Sequence, residues 1–187
     1  MKLAVFCGSS SGHLAVYTEA ATALGILFAN QGIELIYGGG HVGLMGAIAD
    51  ATLGAGGRVT GVMPTQLVER EIAHEGLTQL IVVKDMHERK ATIAELADGF
   101  IAMPGGAGTL EEITEQWTWA QLGIHQKPCA FLNVNDYYEP LKLLTTTMVQ
   151  NGFMKAEYAD MLIYEKQVDK ILTAMKQYIA PTPKWQN

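Results

Sequence analysis

The chain has 187 residues, of which 49% are apolar and 17% are charged, and its formal net charge is −6. This composition is typical of one globular domain with a sizeable core. The negative charge, with no run of Lys and Arg longer than two residues, argues against a nucleic-acid-binding surface. No apolar stretch is long enough to span a membrane, and the first is too short for a signal peptide, so we expect a cytoplasmic protein.

Short apolar runs alternate with helical patterns along the whole chain, which predicts an α/β fold. The predicted strands span residues 3–7, 33–37, 59–63, 79–83, 100–103, 129–132 and 161–164. The predicted helices span residues 15–30, 44–53, 85–97, 109–123, 137–150 and 168–178. Strands separated by helices imply right-handed crossovers and a doubly wound parallel sheet with helices on both faces. We assign residues 1–180 to one such domain and residues 181–187 to a loose C-terminal tail.

A glycine turn follows the fifth predicted strand, with the sequence Pro-Gly-Gly-Ala-Gly-Thr-Leu-Glu-Glu at positions 104–112. Such a turn presents free backbone N–H groups at the positive end of a helix, where a phosphate binds well. Glu111 and Glu112 enter the first helical turn, so a candidate acid or base lies beside the phosphate site. Thr109 and Glu112 also fit a capping box with Thr109 as the N-cap, and local sequence alone leaves this structural role open.

A second glycine segment, residues 38–46, follows the second predicted strand. Gly38, Gly40 and Gly43 have the Gly-x-Gly-x-x-Gly spacing of dinucleotide-binding turns. That motif normally follows the first strand, and the acidic residue expected about 20 positions later is missing. The segment therefore favours a mononucleotide or sugar phosphate over a nicotinamide cofactor. We expect Gly39, Gly40 and Gly43 to help hold a phosphate.

A third segment places two cations near the start of a predicted helix. Asp85 and Glu88 fit an N-terminal capping pattern, so Arg89 and Lys90 lie in the first helical turns. Cations in this position oppose the helix dipole. A bound anion would explain them, and a solvated basic pair is the alternative. An Arg can hold a phosphate or carboxylate through two hydrogen bonds, whereas a Lys acts as a point charge.

The cysteines and histidines show no metal-binding pattern. Cys7 and Cys129 each lie in a predicted strand, and we expect buried free thiols in a reducing compartment. The five histidines are scattered, without the spacing of a metal site. We therefore expect neither a metal nor a cofactor.

Three motifs, in this order and spacing, resemble the LONELY GUY (LOG) family. They are Met-His-Glu-Arg-Lys at 86–90, the glycine motif at 104–112, and Trp-Ala-Gln-Leu-Gly-Ile-His followed by Lys-Pro at 119–128. LOG proteins are cytokinin riboside 5′-monophosphate phosphoribohydrolases, a family formerly labelled lysine decarboxylases. The resemblance implies a Rossmann-like fold and a homodimer, with higher oligomers in some branches. It also implies hydrolysis of an N6-modified AMP to the free base and ribose 5-phosphate.

The resemblance also implies roles for individual residues. Arg89 and Glu112 match the family's catalytic pair. The matching substrate-binding positions are Glu71, Lys90, Gly105, Gly106, Ala107, Gly108, Thr109, Leu110, Glu111 and Thr118. Position 107 is Ala where plant members often carry Tyr, which bears on the preference for the base or its side chain.

Two other functions stay open. A non-catalytic nucleotide carrier, such as a molybdenum-cofactor carrier, would keep the phosphate site but would not need both Arg89 and Glu112. A general AMP nucleosidase would ignore the N6 group. Lysine decarboxylation is disfavoured because it normally requires pyridoxal phosphate on a lysine. The position of Lys90, beside Arg89 at a helix start, suits an anion instead.

Overall fold

A computed structural model of the chain describes residues 1–68 and 73–185. The strands are β1 (Lys2–Phe6), β2 (Glu34–Tyr37), β3 (Val59–Pro64), β4 (Gln79–Val83), β5 (Gly99–Ala102), β6 (Cys129–Leu132) and β7 (Leu162–Glu165). The helices are α1 (Ala15–Asn30), α2 (Gly43–Gly54), α3 (Thr65–Val68), α4 (Met86–Leu96), α5 (Ala107–Gln121), α6 (Glu139–Gln150), α7 (Ala156–Asp160) and α8 (Val168–Lys176), with a 3₁₀ turn at Val134–Asp136.

All the predicted strands are present, and none of their bounds differs from the structure by more than one residue. The predicted helices are present as well. The two shortest helices, α3 and α7, and the 3₁₀ turn were not predicted. They have five residues or fewer, which is too short for a helical period to show in the sequence.

The strands form one parallel sheet in the order β4-β3-β2-β1-β5-β6-β7. The predicted doubly wound sheet is therefore confirmed. The strand order reverses between β1 and β5, and ligands bind beyond the carboxyl ends of the strands at such a switch point.

Two apolar clusters cover the sheet, one on each face. Leu24 and Phe28 of α1, Ile48 of α2 and Ile171 of α8 belong to one cluster. The other contains Ile93 of α4 and side chains of α5 and α7. Because both faces are covered, the central strands are buried along their length, which explains their continuous apolar runs.

The glycine turns after β1, β2 and β5 meet at the switch point. The Gly8 N–H donates to the Pro104 carbonyl (3.1 Å), and the Leu44 N–H donates to the Gly8 carbonyl (3.0 Å). The three turns therefore form one connected surface at the carboxyl edge of the sheet, and the candidate site lies there.

One local prediction is wrong. The N-cap of α5 is Gly106, and its backbone is already extended, so the helix begins at Ala107. Thr109 consequently lies inside the first turn and is buried, with its hydroxyl against Gly105, so it does not form the capping box with Glu112.

The C-terminal segment contacts the domain. The Lys184 N–H donates to the Gln121 carbonyl (2.8 Å), and the Tyr158 hydroxyl donates to the Thr182 carbonyl (3.2 Å). Part of the segment predicted to be a loose tail is therefore held against α5 and α7. Within the described residues, no helix has the length and apolar character needed to cross a bilayer.

Candidate active site

The N-terminus of α5 has the exposed first turn that the glycine motif predicts. The N–H groups of the first helical turn have no partner within a helix, and Ala107 and Gly108 are exposed there. Gly105 is required by close packing, because a Cβ at this position would overlap the Thr109 hydroxyl. The turn therefore holds its N–H groups against open space at the sheet edge.

A cleft of about 250 Å³, the Arg89–Glu112 cleft, opens beside this helix start. Its lining comes from the turn after β1, from α2 and α4, and from the start of α5. The residues are Cys7, Gly8, Ser9, Met45, Met86, Arg89, Gly106, Gly108, Thr109, Glu111 and Glu112. Six of the predicted site residues, from two distant motifs, are thus brought together in one cleft.

Arg89 and Glu112 face each other in this cleft. A terminal nitrogen of Arg89 lies 3.6 Å from a Glu112 carboxylate oxygen, and the side chains are only 12% and 13% exposed. The Nε–H of Arg89 also donates to the Val62 carbonyl at the end of β3 (3.1 Å). The guanidinium also lies against Gly38, where a Cβ would overlap the same terminal nitrogen that faces Glu112. Arg89 is therefore held from two sides before any ligand binds.

Burial and the neighbouring charges have opposing effects on the pKa of the Glu112 carboxyl. Burial raises its pKa most strongly, and the charge of Arg89 lowers it. Glu111 and Glu115 raise the pKa further, Lys90 lowers it, and the net result is a pKa above the ordinary value of 4.5. A partly desolvated carboxylate with a raised pKa in a cleft is typical of an acid or base catalyst.

Lys90 lies beside the cleft, and its charge is paired with two carboxylates of the same chain. Its Nζ donates to Glu111 (2.5 Å) and to Glu115 (3.0 Å), and the hydrogen bond to Glu111 raises the Lys90 pKa. Lys90 therefore balances two carboxylates beside Glu112. Its contact with substrate, which the resemblance implies, remains a prediction.

The glycine turn after β2 packs behind the site. Gly43 has a φ of 60° and lies tightly against the backbone of Ser9. Gly39 has a φ of 82°, and Gly40 pairs with Ala73 in an isolated bridge. None of these three glycines lines the Arg89–Glu112 cleft. Their phosphate contact stays a prediction, while the packing of Gly43 against the turn after β1 is observed.

Two further predicted residues, both on α5, lie outside the cleft. Leu110 and Thr118 are exposed, and the Thr118 hydroxyl donates back to the Thr114 carbonyl (2.8 Å). Neither side chain lines the Arg89–Glu112 cleft. Glu71 lies outside the described residues.

Comparison with known proteins identifies the family of this chain. The family model described as "Possible lysine decarboxylase" matches residues 45–175. A probable cytokinin riboside 5′-monophosphate phosphoribohydrolase of Oryza sativa subsp. japonica is 44% identical over 191 residues, which cover 99% of this chain and 86% of that protein. A cytokinin riboside 5′-monophosphate phosphoribohydrolase of Rhodococcoides fascians is 44% identical over 173 residues, which cover 92% of this chain and 87% of that protein. The chain belongs to the LOG family.

Solved structures with lower identity share the LOG-family fold. The molybdenum cofactor carrier protein of Chlamydomonas reinhardtii has a TM-score of 0.72 at 21% identity, covering 94% of this chain and 96% of that one. The molybdenum cofactor binding protein of Rippkaea orientalis has a TM-score of 0.70 at 22% identity, covering 94% of both chains. At this identity the likeness shows the fold alone, so it does not favour the carrier function.

Sequence reasoning missed a second cleft beside this LOG-family site. It has a volume of about 350 Å³ and shares Gly8, Ser9 and Gly106 with the Arg89–Glu112 cleft. Tyr17 and Tyr137 supply its aromatic wall. The position of Tyr137 after β6 is the sequence signal for this cleft, because the carboxyl ends of parallel strands meet at one sheet edge.

Proposed function

We propose that this chain hydrolyses the N-glycosidic bond of N6-modified adenosine 5′-monophosphates, releasing the free base and ribose 5-phosphate. The observation that carries the proposal is the buried Arg89–Glu112 pair beside the free N–H groups of α5. Relatives with 44% identity over almost the whole chain are named for this activity on cytokinin riboside 5′-monophosphates.

The geometry gives each group a task. The N–H groups at the start of α5 bind the 5′-phosphate, which orients the ribose over Glu112. Cleavage of the bond between C1′ and the base nitrogen develops positive charge on the ribose, and the Glu112 carboxylate stabilises it. Glu112 then accepts a proton from the attacking water as the new C1′–O bond forms. The departing base nitrogen takes up this proton, from Glu112 directly or through a water molecule, which returns Glu112 to its ionised form. Arg89 keeps Glu112 ionised and fixes its direction.

The first test is base release from N6-isopentenyl-AMP, AMP and the unphosphorylated N6-isopentenyladenosine, followed by liquid chromatography. We expect release from the N6-modified monophosphate and none from the riboside, because the riboside lacks the group that α5 binds. Equal release from AMP and N6-isopentenyl-AMP would instead indicate a general AMP nucleosidase. Tight nucleotide binding without any release would indicate a carrier.

We also propose that the enzyme is a homodimer, as the resemblance implies. Leu110 and Leu122, at the two ends of α5, are exposed apolar residues, and Ile124 just beyond the helix is 63% exposed. These exposed apolar side chains are available for contact with a second copy of the chain. Light scattering coupled to size-exclusion chromatography would distinguish a dimer from a monomer or a hexamer.

The proposed compartment is the cytoplasm. Cys7 and Cys129 are buried free thiols, which suits a reducing environment. Fluorescence microscopy of a tagged chain, or fractionation of its host cells, would test the location.

A further inference from the structure

The loop after β6 reaches across the switch point to the backbone of the β5–α5 turn. The Tyr137 hydroxyl donates to the Gly105 carbonyl (2.6 Å), and the Tyr138 hydroxyl donates to the Met103 carbonyl (2.6 Å). Two consecutive tyrosines therefore brace both ends of the segment that leads into the anion-binding helix.

The backbone before these tyrosines adopts an uncommon conformation. Asn135 and Asp136 have φ values of 51° and 58°, in the left-handed region, which Asn and Asp tolerate better than other residues with a Cβ. The surroundings fix this conformation, because the buried Asn133 side chain accepts from the Tyr138 N–H (2.7 Å) and Asp136 pairs with Lys166. This turn directs the chain so that Tyr137 and Tyr138 lie against the segment between β5 and α5.

The hydrogen bond from Tyr137 to the Gly105 carbonyl controls the direction of the Gly106 N–H, a candidate donor to phosphate. A peptide unit is planar and trans, so the Gly105 carbonyl and the Gly106 N–H point in opposite directions. A hydroxyl that holds the carbonyl therefore also fixes the N–H, which points away from Tyr137. Gly106 borders both clefts and is the N-cap of α5.

We propose that Tyr137 is a positioning residue for phosphate binding, acting through the Gly105–Gly106 peptide. The inference rests on the proposed function only in placing a phosphate at the start of α5. Arg89 and Glu112 come from other elements, so the hydroxyl of Tyr137 affects binding of the phosphate and leaves the bond-breaking step intact.

A Tyr137→Phe substitution isolates this role. Tyr137 is 41% exposed, and its ring meets Tyr17 and Tyr138 edge-on, so phenylalanine keeps the packing and removes only the hydrogen bond. Tyr17→Phe is the matched control, because Tyr17 lines the same cleft and, within the described residues, its hydroxyl makes no hydrogen bond to the β5–α5 turn. Thermal unfolding of both variants checks that the fold is retained.

The affinity for ribose 5-phosphate and AMP is measured by calorimetry, and KM and kcat are measured with N6-isopentenyl-AMP. In Tyr137→Phe we expect both affinities to fall roughly three- to tenfold, the loss of one hydrogen bond. KM should rise by the same factor while kcat stays within about twofold of wild type. Tyr17→Phe should match wild type in all four values.

The outcomes separate this inference from the proposed function. Unchanged affinities in Tyr137→Phe, or equal losses in both variants, would overturn the role of Tyr137. A fall in kcat with constant KM would also overturn it. A wild-type protein that binds AMP but releases no base from AMP or from N6-isopentenyl-AMP would overturn the proposed hydrolase activity. The ratio of the AMP affinities of Tyr137→Phe and wild type would still decide the role of Tyr137.

Discussion

The Arg89 guanidinium lies 3.6 Å from the Glu112 carboxylate, and both side chains are almost fully buried. Arg89 is also fixed by the Val62 carbonyl, so its position does not depend on Glu112. The Glu112 carboxylate therefore lies beside a positive charge whose position is already fixed, and beside free N–H groups that suit a phosphate.

Glu112→Gln should lower kcat by roughly 10²–10⁴-fold, the usual contribution of a general base. Glutamine keeps the size and shape of the side chain but carries no charge to stabilise the ribose and accepts no proton. Glu95→Gln is a matched control, because Glu95 is exposed on α4 and lies outside the cleft. Base release at saturating N6-isopentenyl-AMP gives the comparison, and turnover near the wild-type rate would remove Glu112 from the mechanism.

The same substitution should change stability in a pH-dependent way. Burial raises the Glu112 pKa above its ordinary value, so the native state binds this proton more tightly than the unfolded state does. The stabilisation from this proton is present below the unfolded pKa and is lost as the pH rises through the folded pKa. Glu112→Gln lacks this loss. Its free energy of unfolding, relative to wild type, should therefore increase as the pH rises from about 4 to 7.

Denaturant unfolding of both proteins across this range provides the measurement. Glu95→Gln again serves as the control and should run parallel to wild type. The opposite result, a free energy of unfolding of Glu112→Gln that falls relative to wild type as the pH rises, would show that Arg89 outweighs burial in setting the Glu112 pKa.

The sequence predicted the sheet accurately because its strands are buried on both faces and read as short apolar runs between glycine turns. Arg89 and Glu112 could be paired only through the family resemblance, since their motifs are far apart in the chain. The sequence also placed the N-cap of α5 at Thr109. Thr109 is a good capping residue, but the tight packing of Gly105 against it starts the helix earlier.

Other features of the site depend on tertiary contacts that no local pattern contains. Lys90 looks like a free cation in the sequence, and only the fold brings Glu111 and Glu115 to its Nζ. Tyr137 acts across the sheet edge from a different loop, through a backbone carbonyl. A carbonyl carries no side-chain signature, so its partner could not be predicted from residue types.

Lys90→Met should shift the pH dependence of kcat/KM. The Lys90 charge lowers the Glu112 pKa, while Glu111 and Glu115 raise it. Without Lys90, only Arg89 opposes these two carboxylates, so the Glu112 pKa rises. Because the ionised form is required, activity should be lost at a higher pH on the acid side than in wild type.

Lys176→Met, an exposed change on α8, is the control and should keep the wild-type pH profile. An unchanged acid limb in Lys90→Met would mean that Lys90 has no electrostatic influence on the catalytic carboxylate. A uniform loss of activity at every pH would instead indicate a direct contact between Lys90 and the substrate.

Gly38→Ala tests whether the position of Arg89 matters. A Cβ at position 38 would overlap a terminal nitrogen of Arg89, so the guanidinium must move. Displacing one charged hydrogen-bonding group costs roughly 10- to 100-fold, which we expect as a loss in kcat/KM for N6-isopentenyl-AMP. Gly54→Ala is the matched control, because a Cβ at the end of α2 meets nothing within 4 Å. Activity unchanged in both variants, with both folded, would show that the site tolerates a shifted guanidinium and that Arg89 acts through charge alone.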